Sequence, residues 1–223
     1  MPEWWTYSLA DFLLFSPRTY YRLIERHNDA VWPAHLATLG LGVLIAVLLR
    51  ERAWWRGRVV SGIVAVLWAW VAGAFVWGRY ATINWGAAYL VWLLAVEVAL
   101  LVWAGVVRGG LSFRWRADAT GVFGGGLFLL CLAGYPMFAP LAGRGWAQVE
   151  VFGIAPDPTV MATLGLLLLV EGGPRWSLQV APVLWCLVAG ATLMAMGSPE
   201  AWIVLSATLL SVVAAIARGR RSP

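Results

Sequence analysis

Lysine is missing from this chain of 223 residues; all 16 basic residues are arginine. Charged residues of both signs make up only 12% of the sequence, where a soluble domain averages roughly a quarter. Cysteine is nearly absent. Cys131 and Cys186 both sit inside apolar runs, which excludes a disulfide framework and a CxxC metal pattern. No HExxH zinc helix, GxSxG nucleophile elbow or Walker loop occurs, so no catalytic residue, metal site or cofactor is expected. The two histidines, His27 and His35, do not make a haem pair, because only His35 falls near membrane depth. Strict apolar–polar alternation is also lacking, as in "LATLGLGVLIAVLL", which excludes a β-barrel. Met1-Pro2-Glu3 is not a basic leader, and "LADFLLF" is too short to span. The first full apolar run is expected to act as its own insertion signal.

What is abundant is apolar surface. Hydrophobic residues make up 61% of the chain and its mean hydropathy is +0.77. Runs of about 18 residues or more match a hydrocarbon core of about 30 Å crossed as helix. The expected fold class is all-α: a polytopic transmembrane helix bundle forming one domain over residues 31–223, preceded by an N-terminal segment over 1–30. Seven spans are expected: Val31–Leu49, Val59–Trp77, Ala87–Val107, Thr120–Leu141, Thr159–Val170, Leu178–Met196 and Trp202–Ala217. A six-span alternative makes Thr159–Val170 re-entrant. Trp54, Trp77, Trp85 and Trp202 at span ends suit an aromatic belt.

The arginines orient the spans. Loops Arg50–Arg58, Arg108–Asp118, Glu171–Ser177 and the tail carry eleven, against five in the remaining segments. The positive-inside rule puts the C-terminus in the cytoplasm of a bacterial inner membrane and, with seven spans, the N-terminus in the periplasm. The isoelectric point of 9.8 thus reflects topology, not nucleic-acid binding. The three arginines of the N-terminal segment, Arg18, Arg22 and Arg26, fit that orientation least well.

The N-terminal segment carries helix-start chemistry. Ser8 with Asp11 resembles a capping box, and Ser16-Pro17 reads as an N-cap with proline at the first helical position. From Pro17 to about Asn28, Tyr20, Leu23, Ile24 and His27 recur at helical spacing among Arg18, Arg22, Glu25 and Arg26. With Trp4, Trp5 and Tyr7 this suggests an amphipathic interfacial helix, or one docked on the bundle. Small residues recur every fourth position, as at Ala207, Ser211 and Ala215, and mark close helix crossings. Gly124-Gly125-Gly126 is expected to be a tight crossing, or else a hinge.

Two places hold candidate chemistry. Glu97 is the single charge in "AAYLVWLLAVEVALLVWAGVV". A charge there costs about 2.5–3.5 kcal/mol on insertion scales, so Glu97 should keep its proton or bond to another helix. It is a candidate proton or ion site, or a neutral acid joining two helices. The second place is "EVFGIAPDPTVMATLGLLLLVEGG". Two prolines bracket Asp157, so the backbone before Thr159 is expected to be irregular, with Asp157 or Thr159 capping a short helix. A half-helix start of this kind can line a transport pathway; it can also be an ordinary capped loop.

The block "EWWTYSLADFLLFSPRTYYRLIERHNDAVWP" together with "VEVFGIAPDPTVMATLGLLLL" resembles a bacterial multi-pass membrane family, domain of unknown function 6064. Its members are sometimes loosely labelled transporter permeases. The resemblance implies an integral membrane protein and carries over no site residue. The functional expectation is a small-solute or ion transporter with Glu97 protonatable and Asp157–Thr159 on the pathway. The alternative is an accessory subunit of a membrane complex. Expected partners are the lipid bilayer, a small solute or proton, and a membrane protein or second copy of the chain.

Overall fold

The computed structural model describes residues 13–220. The described residues form eight main helices, a short 3-10 helix at Trp146–Gln148 and no sheet, apart from isolated bridges Phe113–Val170 and Phe152–Ala155. The Ser8–Asp11 pair and Trp4, Trp5 and Tyr7 lie outside the described residues.

Helix α1 (Pro17–Val31) begins where Ser16 Oγ accepts the Thr19 N–H at 3.2 Å. It buries Tyr20, Leu23, Ile24 and His27 against the bundle and leaves Arg18, Arg22 and Arg26 exposed. The chain then bends by 88° into α2 (Ala34–Leu48). Next come α3 (Arg56–Ile83), whose stretch Val71–Tyr80 winds with i→i+5 bonds, α4 (Ala87–Val107) and α5 (Ala119–Leu141). Asp118 caps α5 by accepting the Gly121 N–H at 2.7 Å. Helices α6 (Pro156–Leu168), α7 (Trp176–Ala195) and α8 (Glu200–Gly219) complete the bundle.

Five helices are long and apolar enough to cross a membrane: α3, α4, α5, α7 and α8. The bent pair α1–α2 would make a sixth. Length and apolarity therefore give five or six, against the seven expected. Helix α6 falls short at 13 residues, about 20 Å of rise.

Helix α6 is the centre of the fold. Every residue from Glu150 to Val170 is buried. Helices α3, α5, α7 and α8 surround it. Trp68 Nε1 on α3 donates to Thr163 Oγ1 on α6 at 2.8 Å. A buried helix must satisfy its terminal carbonyls, since no water reaches them. The Leu168 carbonyl accepts from Arg218 Nη1 at 2.9 Å, and the Val170 carbonyl from Arg218 Nη2. The Arg114 N–H bonds the Leu169 carbonyl at 3.0 Å. Cationic groups at a helix C-terminus also suit its dipole.

The backbone ahead of Thr159 corrects one expectation. It is already helical from Pro156, and the N-cap is Ala155, with no side-chain cap. Both prolines sit in the first turn, where the missing N–H would have had no helical partner.

Hydrogen bonds gather the loops at two ends. At one end, Arg56 and Arg114 lie at 3.7 Å from the Glu171 carboxylate, Ser112 Oγ donates to it at 2.6 Å, and Arg175 Nη2 bonds the Gly110 carbonyl at 3.2 Å. At the other, Asn28 Nδ2 on α1 donates to the carbonyls of Ala147 and Val149 at 2.9 and 2.8 Å. The small residues face inward: Ala207, Ser211 and Ala215 are all buried on α8. The corresponding stripe on α3 is buried at Ser61 and Ala65 and leaves the interface at Ala69 and Gly73.

Candidate functional site

The site grows from one tight turn. Gly153 has φ +78°, and a Cβ there would meet Thr38 Cβ at 2.7 Å and Leu67 Cδ2 at 2.9 Å, so only glycine fits. Thr159 holds this turn. Its hydroxyl accepts the Gly153 N–H at 2.8 Å and donates to the Ala155 carbonyl at 2.6 Å. Thr159 is thereby a bracket for the loop, and it does not cap α6. The turn sets Glu150 before α6 and Asp157 in its first turn, both buried.

Asp157 Oδ1 accepts from Trp185 Nε1 on α7 at 2.8 Å, while Oδ2 has no partner. Asp157 lines a cavity of about 10 Å³ with Tyr20, Tyr80, Leu90 and Trp185. That is space for about one water. Glu150 leaves Oε2 unpaired. Its pKa stands well above the usual carboxylate range, because burial disfavours the charge and the Asp157 carboxylate adds to that; Arg144 pulls the other way.

Glu200, at the start of α8, completes the group. It is ion-paired with Arg144 and accepts from Ser198 Oγ. Tyr21 on α1 donates to Ser198 Oγ at 3.0 Å, and the Arg144 guanidinium lies 4.1 Å from the centroid of the Tyr21 ring. Glu150, Asp157 and Glu200 are within electrostatic reach of one another. Arg144, largely enclosed, is ion-paired with Glu200 and acts on Glu150, while Asp157 adds a third buried carboxyl beside them. Tyr135, whose buried hydroxyl has no partner, faces the same charges.

Glu97 stands apart. It is 0% exposed, on the inward stripe of α4 with Leu94 and Leu101, and neither oxygen has a hydrogen-bond partner. Leu90 reaches the Asp157 cavity, and Glu97 lies two turns farther along, about 10 Å. The fold does not bring the two acids together. A carboxyl with nothing to bond is a liability for packing. Glu97→Leu is accordingly expected to raise stability by on the order of 1 kcal/mol, read as a higher thermal midpoint in detergent. A lower midpoint would mean that Glu97 has a partner after all.

His35 Nε2 and Asn28 Oδ1 are 3.2 Å apart, joining α2 to α1, and the His27 ring meets Phe75 edge-on at 5.1 Å. Both histidines are packing residues here. Glu150, Glu200 and Arg144 belong to no motif. The one signal for them was the apolar context of Glu150 beside Gly153 and the two prolines.

The sequence profile of a family of unknown function, DUF6064, matches residues 18–222. The chain belongs to DUF6064. No curated protein and no solved structure matches it. For this DUF6064 chain the match covers α1 through α8, so every residue of the acidic group lies within the family region.

Proposed function

We propose that this DUF6064 chain is an integral protein of a bacterial inner membrane that moves protons, alone or with a small solute. Asp157 and Glu150 would be the proton-carrying groups, with Glu200 and Arg144 setting their charge and Thr159 holding the pathway's backbone. Glu97 is a second protonatable site in this reading, farther along α4. The observation that carries the proposal is the excess of buried carboxyls over buried cations at one end of the bundle. An ionisable group inside a crossing helix, as Asp157 on α6 is in this reading, is costly and marks an ion or proton route by default. A neutral acid can hand on its proton through a single water in the cavity beside it.

The same reading gives the chain seven crossings, α2 through α8, with α2 and α6 as the short ones. It is supported by the grouping of the arginine-rich loops at one end and of Arg79 and Arg144 away from them. The cytoplasm would then face Arg56, Arg114 and Arg218, and α1, which takes up most of the latter half of the segment 1–30 and ends at Val31, would lie at the periplasmic interface beside the domain 31–223. An accessory role is favoured by one feature: α4 exposes Tyr89, Trp92 and Trp103, a broad aromatic face for a partner helix.

The test is proton flux into liposomes carrying an internal pH dye, under an imposed gradient and with a panel of solutes. Asp157→Asn is expected to slow flux roughly 100-fold, the low end of what a positioned proton-transfer group contributes. Glu97→Gln, run beside it, reports whether the second acid lies on the route. Wild-type flux no faster than empty liposomes would sink the transport reading, and co-purification of one stoichiometric membrane partner would replace it.

A further inference from the structure

Four arginines converge on one groove, and among the described residues no carboxylate lines it with them. Arg18, Arg22 and Arg26 recur every fourth residue on α1, and Arg79 faces them from the far end of α3. They line a groove of about 350 Å³ that has no acidic lining residue among the described residues. The ion pairs among the described residues use Arg56, Arg114, Arg116 and Arg144 instead. Like charges four apart on a helix destabilise it, and a fourth cation across the groove adds to the repulsion. These are also four of the five arginines that sit outside the arginine-rich loops, against the topology bias. The fifth, Arg144, is occupied by Glu200. A row of guanidinium groups around a pocket of ligand size is the arrangement that holds phosphate, since each guanidinium offers a planar fork of donors.

We propose that this groove is a binding site for a phosphate-bearing anion. Leu23, buried, and Ile83, half-buried, give it an apolar side, which suits the glycerol and acyl start of an anionic phospholipid below the headgroup. Free phosphate offers the same charged chemistry without the apolar part. The site is independent of proton movement and does not share a lining residue with the Asp157 cavity.

The experiment uses the full chain in nanodiscs. One arm compares discs of phosphatidylcholine with discs containing phosphatidylglycerol and reads, by native mass spectrometry, the anionic lipid retained on release. The other titrates inorganic phosphate into phosphatidylcholine discs by calorimetry. The variants are Arg22→Gln/Arg79→Gln and, as control at the opposite end, Arg50→Gln/Arg52→Gln. The groove variant is expected to lose binding roughly tenfold or more, since two charge-assisted contacts go, while the control keeps it. Retention of phosphatidylglycerol that excess phosphate does not displace assigns the lipid headgroup. Phosphate binding in the calorimeter assigns the free anion. Equal binding by wild type and groove variant, equal loss in both variants, or no binding in either arm overturns the proposal. If the groove variant unfolds, Arg18→Gln/Arg26→Gln, both on the exposed face of α1, replaces it.

Discussion

Arg144→Met is expected to cost about 3–5 kcal/mol, the penalty for leaving one member of a buried ion pair behind. The side chains of Arg144 and Glu200 are 12% and 4% exposed, so water cannot take over when the partner goes. The lost group is also a cation that favours the charged form of Glu150. At roughly 2–4 °C per kcal/mol for a chain of this size, the thermal midpoint in detergent should fall by about 10 °C. Adding Glu200→Leu in the same chain should recover most of the loss, because both charges are then gone. The cost also depends on pH, and Glu150 fixes the sign. Its folded pKa lies above the ordinary glutamate value of 4.5, so the folded chain holds a proton that the unfolded chain releases. Stability from that group is complete below the ordinary value and is lost as pH rises toward the folded value. Removing Arg144 pushes Glu150 further in the same direction, so the part of the cost that Glu150 carries is absent at pH 4, below the ordinary value, and appears only at a pH high enough to ionise the carboxyl in the folded wild type. A cost below 1 kcal/mol, equal at every pH, would mean that water screens the pair.

Much of this architecture was legible in the sequence because long apolar helices announce themselves by composition. Ala87–Val107 coincides with α4, and Thr120–Leu141 with α5 to within one residue. Ser16-Pro17 started α1 as its chemistry requires. The start of α6 was misplaced because proline was read as a breaker, where its position in the first turn makes it neutral. The length of α3 was underestimated at both ends, since its winding in i→i+5 bonds through Val71–Tyr80 carries it past Arg79 to Ile83. The acidic group was legible at Asp157 and, by its apolar context, faintly at Glu150. Glu200 stands in a first helical turn and Arg144 in a glycine-rich loop, where such residues usually meet solvent. Only the packing of α1 and Ser198 over them makes the pair internal. Glu97 drew notice because a lone charge in an apolar run is easy to see. The fold leaves it without a bonding partner, and Glu150, Asp157 and Glu200 share charge at the end of the bundle instead.

Gly165→Ala should be as informative about the core as Arg144 is about the site. Helices α5 and α6 cross with backbone against backbone: a Cβ at Gly124 would lie 2.7 Å from the Gly165 carbonyl oxygen, and a Cβ at Gly165 would lie 2.5 Å from that of Gly124. Neither oxygen is the end of a flexible side chain, so the helices themselves would have to part. In the membrane setting proposed for this chain, close approach is what holds helices together, since apolar surface gains little by leaving one apolar medium for another. Gly165→Ala is expected to cost about 3 kcal/mol, the upper end for overpacking, and Gly165→Val more. Gly126 is the internal control. It belongs to the same glycine run, yet nothing lies within 4 Å of a Cβ placed there. Gly126→Ala should stabilise by about 0.5–1 kcal/mol through helix propensity alone. Opposite signs for the two alanines identify the glycine run as a crossing point. Losses of equal size would instead make it a hinge, in which chain flexibility and not proximity is what the glycines supply.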